Sequence, residues 1–145
     1  MISCTEFIWT YSELFKFLHE RYGKQAVIDF WIGISQNFLG NLDALVAQKG
    51  IQGMYEYWNH TLEEEGADYT MTVEEDRFVI DMRACPSVGL LSRGPSERYA
   101  DYCEHCRWLY PPVIEPYGFD VHCNIIDAEK GVCRLVVNRK TESAQ

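Results

Sequence analysis

Six cysteines occur in the 145 residues, and five of them fall between Cys85 and Cys133. That clustering is where the sequence carries chemistry. Cys103-Glu104-His105-Cys106 is a C-x-x-C motif. Two thiolates one helical turn apart can share a metal ion, and zinc needs further ligands. Cys103, Cys106 and Cys133 form the candidate metal set, with Cys85, Cys123 and His122 also available. Redox use of the motif is less natural. Cys103 is expected about two turns inside a helix, beyond the terminal amides that lower a thiol pKa. Core packing of both cysteines as small hydrophobes is the plain alternative.

Cys85 is the better single nucleophile. It closes a strand, Pro86 holds it extended, and Ser87-Val88-Gly89 offers backbone amides near the thiol. Such amides lower a thiol pKa or hold an oxyanion. A cysteine nucleophile also wants a base, for which His105 and His122 are the candidates. On an ideal helix His105 stands about 200 degrees from Cys103 and about 100 degrees from Cys106, at the edge of that stripe. His122 alternates away from Cys123 along a strand and shares its side with Asp120. His19 and His60 have no supporting motif. Tyr102, Trp108, Tyr110 and Tyr117 surround the thiol helix and could wall an apolar pocket with hydroxyl donors. Asn37, Asn41 and Asn59 are possible polar groups from the helical half. No Gly-rich phosphate loop, Gly-x-Ser-x-Gly elbow, His-Glu-x-x-His or EF-hand loop is present, and no cofactor is specified.

The elements that must position these residues are legible from periodicity. Phe7, Ile8, Tyr11, Leu14, Phe15 and Leu18 recur at helical spacing over Glu6 to Tyr22. Gln25 to Leu39 is a second, unusually apolar helix, in which Gly33 suggests close packing or an early break. Asn41 is expected to cap a short helix through Ala47. Met54 to Glu65 is a further helix with Tyr57, Trp58 and Leu62 inward and Gly66 as C-cap. The period then becomes two. Tyr69, Met71 and Val73, a turn at Glu75-Asp76, then Phe78, Ile80 and Met82 predict a hairpin with Val73 near Phe78 and Met71 near Ile80. The stretch around Gly89 and Gly94-Pro95 reads as a loop. Ser96 is expected to cap a helix over Glu97 to Leu109, stopped by Pro111-Pro112, with a short helical turn over Pro112 to Glu115. Phe119, Val121, Cys123 and Ile125, then Cys133, Leu135 and Val137, predict a second hairpin. Its register sets Cys123 opposite Leu135 and Cys133 opposite Ile125. Lys140 to Gln145 is a polar tail. The fold class is α+β: a helical N-terminal half packed on a four-stranded antiparallel sheet made of two hairpins with an intervening helix.

Composition bounds the function. The length suits one domain. Apolar residues reach 47%, with nine Tyr, seven Phe and four Trp, so an aromatic-rich core is expected. A net charge of -9 repels nucleic-acid phosphates and anionic lipid. The longest apolar stretch, Ala26 to Ile34, contains Asp29 and is too short to span a bilayer. The N-terminal residues lack the pattern of a signal peptide. A cytoplasmic protein with free thiols is therefore expected, with a small-molecule ligand or substrate as its partner. Exposed aromatics leave a homodimer open.

Asp81-Met82-Arg83-Ala84-Cys85-Pro86, then Tyr102-Cys103 in a helix, then a hairpin ending Gly131-Val132-Cys133-Arg134, resemble the L-2-amino-thiazoline-4-carboxylic acid hydrolase-like family. The resemblance implies a small hydrolase acting on a cyclic C–N bond, opening a 2-amino-thiazoline-4-carboxylate to an N-carbamoyl-cysteine product. By position Cys85 matches the Cys-Pro cysteine, Cys103 the helix cysteine and Cys133 the hairpin cysteine. Cys106 and Cys123 are additions. On this reading Cys85 or Cys103 attacks, or a metal-bound water does, with His105 as acid/base. Arg83 or Arg107 pairs with the substrate carboxylate, and Tyr102 and Tyr110 contact substrate. The competing readings are a non-enzymatic small-ligand binding or sensing domain, and a cysteine-ligated metal module.

Overall fold

The computed structural model describes residues 5–142. Cys4 and positions 143–145 of the expected tail lie outside the described residues. Four helices come first: α1 (Thr5–Tyr22), α2 (Lys24–Phe38), α3 (Gly40–Lys49) and α4 (Ile51–Glu64). Their apolar stripes bury Phe15 on α1, Val27 and Trp31 on α2, and Met54, Trp58 and Leu62 on α4. Gly33 does not break α2, which runs through it. Asn41 does not cap α3. The helix starts one residue earlier, straight from Leu39, and Asn41 is exposed in its first turn. No helix among the described residues is long and apolar enough to cross a membrane.

Helix α4 begins three residues before the expected Met54, because Gly53 is a packing residue and not a boundary. A side chain there would place its Cβ 2.1 Å from the Leu45 carbonyl oxygen of α3. The two helices cross where a glycine lets their backbones meet. The end of α4 is as expected. Gly66, at φ +65°, takes the left-handed cap. The Ala67 N–H donates to the Leu62 carbonyl and the Gly66 N–H to that of Glu63, which is the Schellman pattern.

The sheet is built from β1 (Asp68–Val73), β2 (Arg77–Ala84), β3 (Phe119–Asp127) and β4 (Val132–Arg139), in the order β1-β2-β4-β3. All pairs are antiparallel. Both hairpin registers are the expected ones: Val73 faces Phe78, Met71 faces Ile80, Cys123 faces Leu135 and Cys133 faces Ile125. A bulge between Ile125 and Asp127 shifts the register next to the β3–β4 turn. The architecture is α+β, with the helical half packed on this four-stranded sheet.

The segment between the hairpins departs from expectation twice. Pro86–Leu91 is a helix, α5, where a loop was expected. Pro86 sits in its first turn, where a missing N–H costs nothing. The long helix over Glu97 to Leu109 does not form. A 3-10 turn spans Tyr102–Glu104, and a short α6 (His105–Leu109) follows. The physical reason is that tertiary partners claim residues 96–101. Ser96 Oγ donates to Glu13 instead of capping a helix, and the Tyr99 N–H donates to buried Ser12 Oγ at 2.8 Å. Lys24 Nζ holds Asp101 at 2.6 Å and Glu104 at 3.0 Å. A further helical turn, α7 (Pro111–Ile114), lies one residue before its expected place.

Buried side chains form two clusters, not one. The first joins α3, α4 and α7 to the sheet through Leu42, Trp58, Phe78, Ile114, Phe119 and Val137. The second joins α1, α2 and α5 through Phe15, Val27, Trp31 and Val88, and holds Tyr99 and Tyr102. Gly53→Ala is expected to destabilise the first by about 1–3 kcal/mol through overpacking. Urea unfolding with unchanged m-value checks it; a wild-type midpoint would contradict the close crossing of α3 and α4.

Candidate functional site: a thiol-lined aromatic cavity

A cavity of about 240 Å³ lies at the seam of the two clusters. The helices contribute Tyr11, Phe15, Trp31, Trp58 and Leu62, and the sheet contributes Ile80, Met82 and Leu135. The rings are held by their neighbours. Trp58 stacks on Phe78 with centroids 5.6 Å apart and meets Tyr110 edge-on at 5.1 Å. Phe15 packs edge-on to Trp31 at 5.4 Å. Four thiols complete the wall, those of Cys85, Cys106, Cys123 and Cys133, together with Tyr102, His105 and Tyr110. No arginine or lysine lines it, and Glu65 stands at its edge on the exposed end of α4.

Cys85 follows β2 and is the N-cap residue of α5, extended at φ −67°, ψ 125°, as Pro86 requires. Its N–H donates to the Gly131 carbonyl at 3.0 Å. Burial raises its thiol pKa, and the Val88 and Ser87 backbone amides oppose this by favouring the thiolate, without reversing the upward shift. Gly131 sits at φ +67°, and a Cβ there would come 2.7 Å from Cys85 Cβ. The β3–β4 turn is thus clamped against Cys85.

Cys103 belongs to the 3-10 turn, and its thiol donates to the Ala128 carbonyl at 3.8 Å, away from the cavity wall. Burial pushes it up to about 11. Cys123 interacts with both Cys106 and Cys133. Its thiol is pushed up to about 12, first by the contact with Cys106. The Cys133 thiol is raised far above its ordinary value by Cys123 and by burial. The expected metal set of Cys103, Cys106 and Cys133 is therefore not brought together. Among the described residues no group of three or more His, Cys, Asp or Glu side chains is placed to hold a metal ion. The C-x-x-C motif spans two short elements instead of one helix, and its cysteines face different neighbours.

His105 is fixed at both nitrogens. Nδ1 lies 2.6 Å from the Tyr102 carbonyl oxygen, and Nε2 lies 3.5 Å from Cys106 Sγ. A carbonyl only accepts, so Nδ1 carries the proton and Nε2 is the free acceptor facing the thiol. Burial lowers the imidazole pKa below its ordinary 6.5. The Tyr102 and Tyr110 hydroxyls are raised by burial and remain donors at neutral pH. Trp31 is 1% exposed, and its Nε1–H has no acceptor among the described residues.

Of the residues expected to form a site, Cys85, His105, Tyr102, Tyr110, Cys106 and Cys133 line this cavity. Arg83 and Arg107 do not. Arg83 is exposed beside β1, donating to Asp68 at 2.7 Å and to the Tyr69 carbonyl at 2.9 Å. Arg107 Nε donates to the Cys123 carbonyl on the outer surface. His122 is exposed on the opposite side of β3 from Cys123, as alternation requires. Trp108 and Tyr117 are partly exposed, and Tyr117 donates to Asp43. Asn37 and Asn41 are exposed, and Asn59 stands outside the cavity wall. The liners that sequence reasoning missed include Trp31, Trp58, Phe15 and Glu65. Helical periodicity marks the three aromatics as inward-facing but cannot say that they leave a space. Comparison with protein-family models and with curated proteins finds no match. Fold and site together define an α+β domain with an aromatic cavity at the junction of two cores.

Two outcomes follow from this geometry. Gly131→Ala loses the left-handed turn and crowds Cys85, so a stability loss of roughly 2–3 kcal/mol is expected, read by urea unfolding; a neutral effect would contradict the clamp. His105 faces Trp31, Tyr102 and Cys106, with Cys133 nearby. Its folded pKa lies below the unfolded one, so the unfolded chain binds this proton first. Its contribution is full above pH 6.5 and is lost as pH falls from there through the folded value. Comparing the pH dependence of stability in wild type and His105→Gln isolates it. A parallel dependence in the two would contradict burial of a neutral imidazole.

Proposed function

We propose that this chain is a small-ligand binding or sensing domain whose ligand is compact, uncharged and ring-bearing, with a hydrogen-bond acceptor. The cavity carries this reading. An apolar cavity of about 150 Å³ is enough to take benzene, so 240 Å³ accommodates one ring with a short substituent. The walls are aromatic, burial and neighbouring groups raise the Cys85, Cys123 and Cys133 thiols above their ordinary values, and the Tyr102 and Tyr110 side chains bring hydroxyl donors to the wall. A carboxylate ligand is disfavoured, since it would lie among apolar side chains with Glu65 at the edge and no cation in the wall.

A second reading is favoured by one observation. The Ser87 and Val88 amides beside Cys85 are the kind of donors that hold an oxyanion in thiol hydrolysis. Here Cys85 would attack a cyclic C–N bond, as the resemblance to the thiazoline carboxylate hydrolases implies. Turnover of 2-amino-thiazoline-4-carboxylate by wild type, abolished in Cys85→Ala, would favour it over binding alone.

Titration of reduced protein with 4-phenylbutan-2-one tests the binding reading, followed through tryptophan fluorescence because Trp31 and Trp58 line the cavity. Saturable 1:1 binding is expected, weakened by about tenfold or more, the equivalent of about 1.4 kcal/mol, when Ile34, which lines the cavity from α2, is enlarged in the space-filling Ile34→Phe. Absence of saturation in wild type, or equal binding by the filled variant, would count against the cavity as the site.

A further inference from the structure

Among the described residues, Cys106 and His105 make the thiol–imidazole hydrogen bond of the cavity wall, and neither the hydrolase resemblance nor the binding reading uses it. The imidazole is oriented from behind by the Tyr102 carbonyl at 2.6 Å, which leaves Nε2 as acceptor 3.5 Å from the sulfur. A base held in one tautomer beside a thiol is the arrangement that activates a cysteine nucleophile. Cys85, the cysteine singled out by sequence, has amide donors around its sulfur but no imidazole hydrogen-bonded to it.

We propose that Cys106, with His105 as its base, captures small aromatic α,β-unsaturated carbonyl compounds bound in the cavity. This rests on the cavity being a ligand site. His105 Nε2 takes the proton of Cys106 Sγ as the sulfur bonds to the β-carbon. The C=C π pair shifts toward the carbonyl, giving an enolate. The imidazolium proton then passes to the α-carbon. One S–C and one C–H bond form, one S–H and one C=C π bond are lost, and His105 returns to neutral. No oxidant, water or leaving group takes part.

The surroundings select this chemistry over acyl transfer. Release of an acyl group needs water and donors for a tetrahedral oxyanion. Those donors stand at Cys85, and the cavity that Cys106 lines is walled largely by apolar and aromatic side chains, among them Trp31, Trp58, Leu109 and Tyr110. Conjugate addition needs only a donor for the carbonyl oxygen, which the Tyr102 and Tyr110 hydroxyls can supply. The aromatic walls fit a ring conjugated to the enone.

The test treats reduced, full-length protein with 4-phenylbut-3-en-2-one and, in parallel, with its saturated analogue 4-phenylbutan-2-one. Intact mass and peptide mapping should show one adduct, on Cys106. Labelling should be absent in Cys106→Ser, unchanged in Cys103→Ser and slower by about 100-fold in His105→Gln. Binding of the saturated ketone by His105→Gln shows that the variant is folded. Should it not fold, the labelled residue in wild type still decides. Binding of the saturated ketone without an adduct on Cys106 overturns the capture and leaves the binding reading intact. So does wild-type labelling rate in folded His105→Gln, or an adduct on another cysteine. Failure of both ketones to bind overturns the two together.

Discussion

Desolvation at the seam between the two cores governs most of the ionisable groups found there. The Cys85, Cys123 and Cys133 thiols are all raised above their ordinary values, burial contributing to each, because a thiolate there would lose its hydration. The same cost keeps His105 neutral and the hydroxyls of Tyr102 and Tyr110 protonated. The cavity is therefore a wall of neutral donors and soft sulfur atoms, with no fixed cation. A site of this kind discriminates first against charge, then by shape, then by where a hydrogen-bond acceptor can sit.

The seam persists because separate anchors hold each side. The hairpin turn at Gly131 is tied to Cys85 by a backbone hydrogen bond and a contact that only glycine permits. This fixes the start of α5 against the end of the sheet. Across the seam, Lys24 pins Asp101 and Glu104, Ser12 holds the Tyr99 amide, and His19 Nδ1 meets the Tyr99 hydroxyl at 2.7 Å. These contacts fix the backbone that delivers Tyr102, His105 and Cys106.

Much of the fold was legible because it rests on local period. Spacings of three and four gave the helices, alternation gave both hairpins, and alternation also set Cys123 and Cys133 on one face. What was not legible depended on tertiary partners. Nothing local says that Ser12 will take the Tyr99 amide, so residues 97–104 read as helix and Cys103 as one of a pair with Cys106. The candidate site was half visible. Clustering pointed to cysteines, to His105 and to two tyrosines that line the cavity, but also to Cys103, which turns away from it. The arginines were misplaced, since a guanidinium near a cysteine in sequence says little when strand pairing turns it to Asp68. The aromatic liners read as core, and the difference between core and cavity wall is a matter of volume, not of pattern.

The most direct test of a dry, ligand-accepting seam is a crystal of the reduced protein pressurised with xenon, an apolar probe that enters empty cavities and leaves hydrated ones. The account predicts a xenon site bounded by Trp31, Trp58 and Cys123, with no ordered water in its place. Water chains through the seam, or rings collapsed into contact with no xenon, would contradict it.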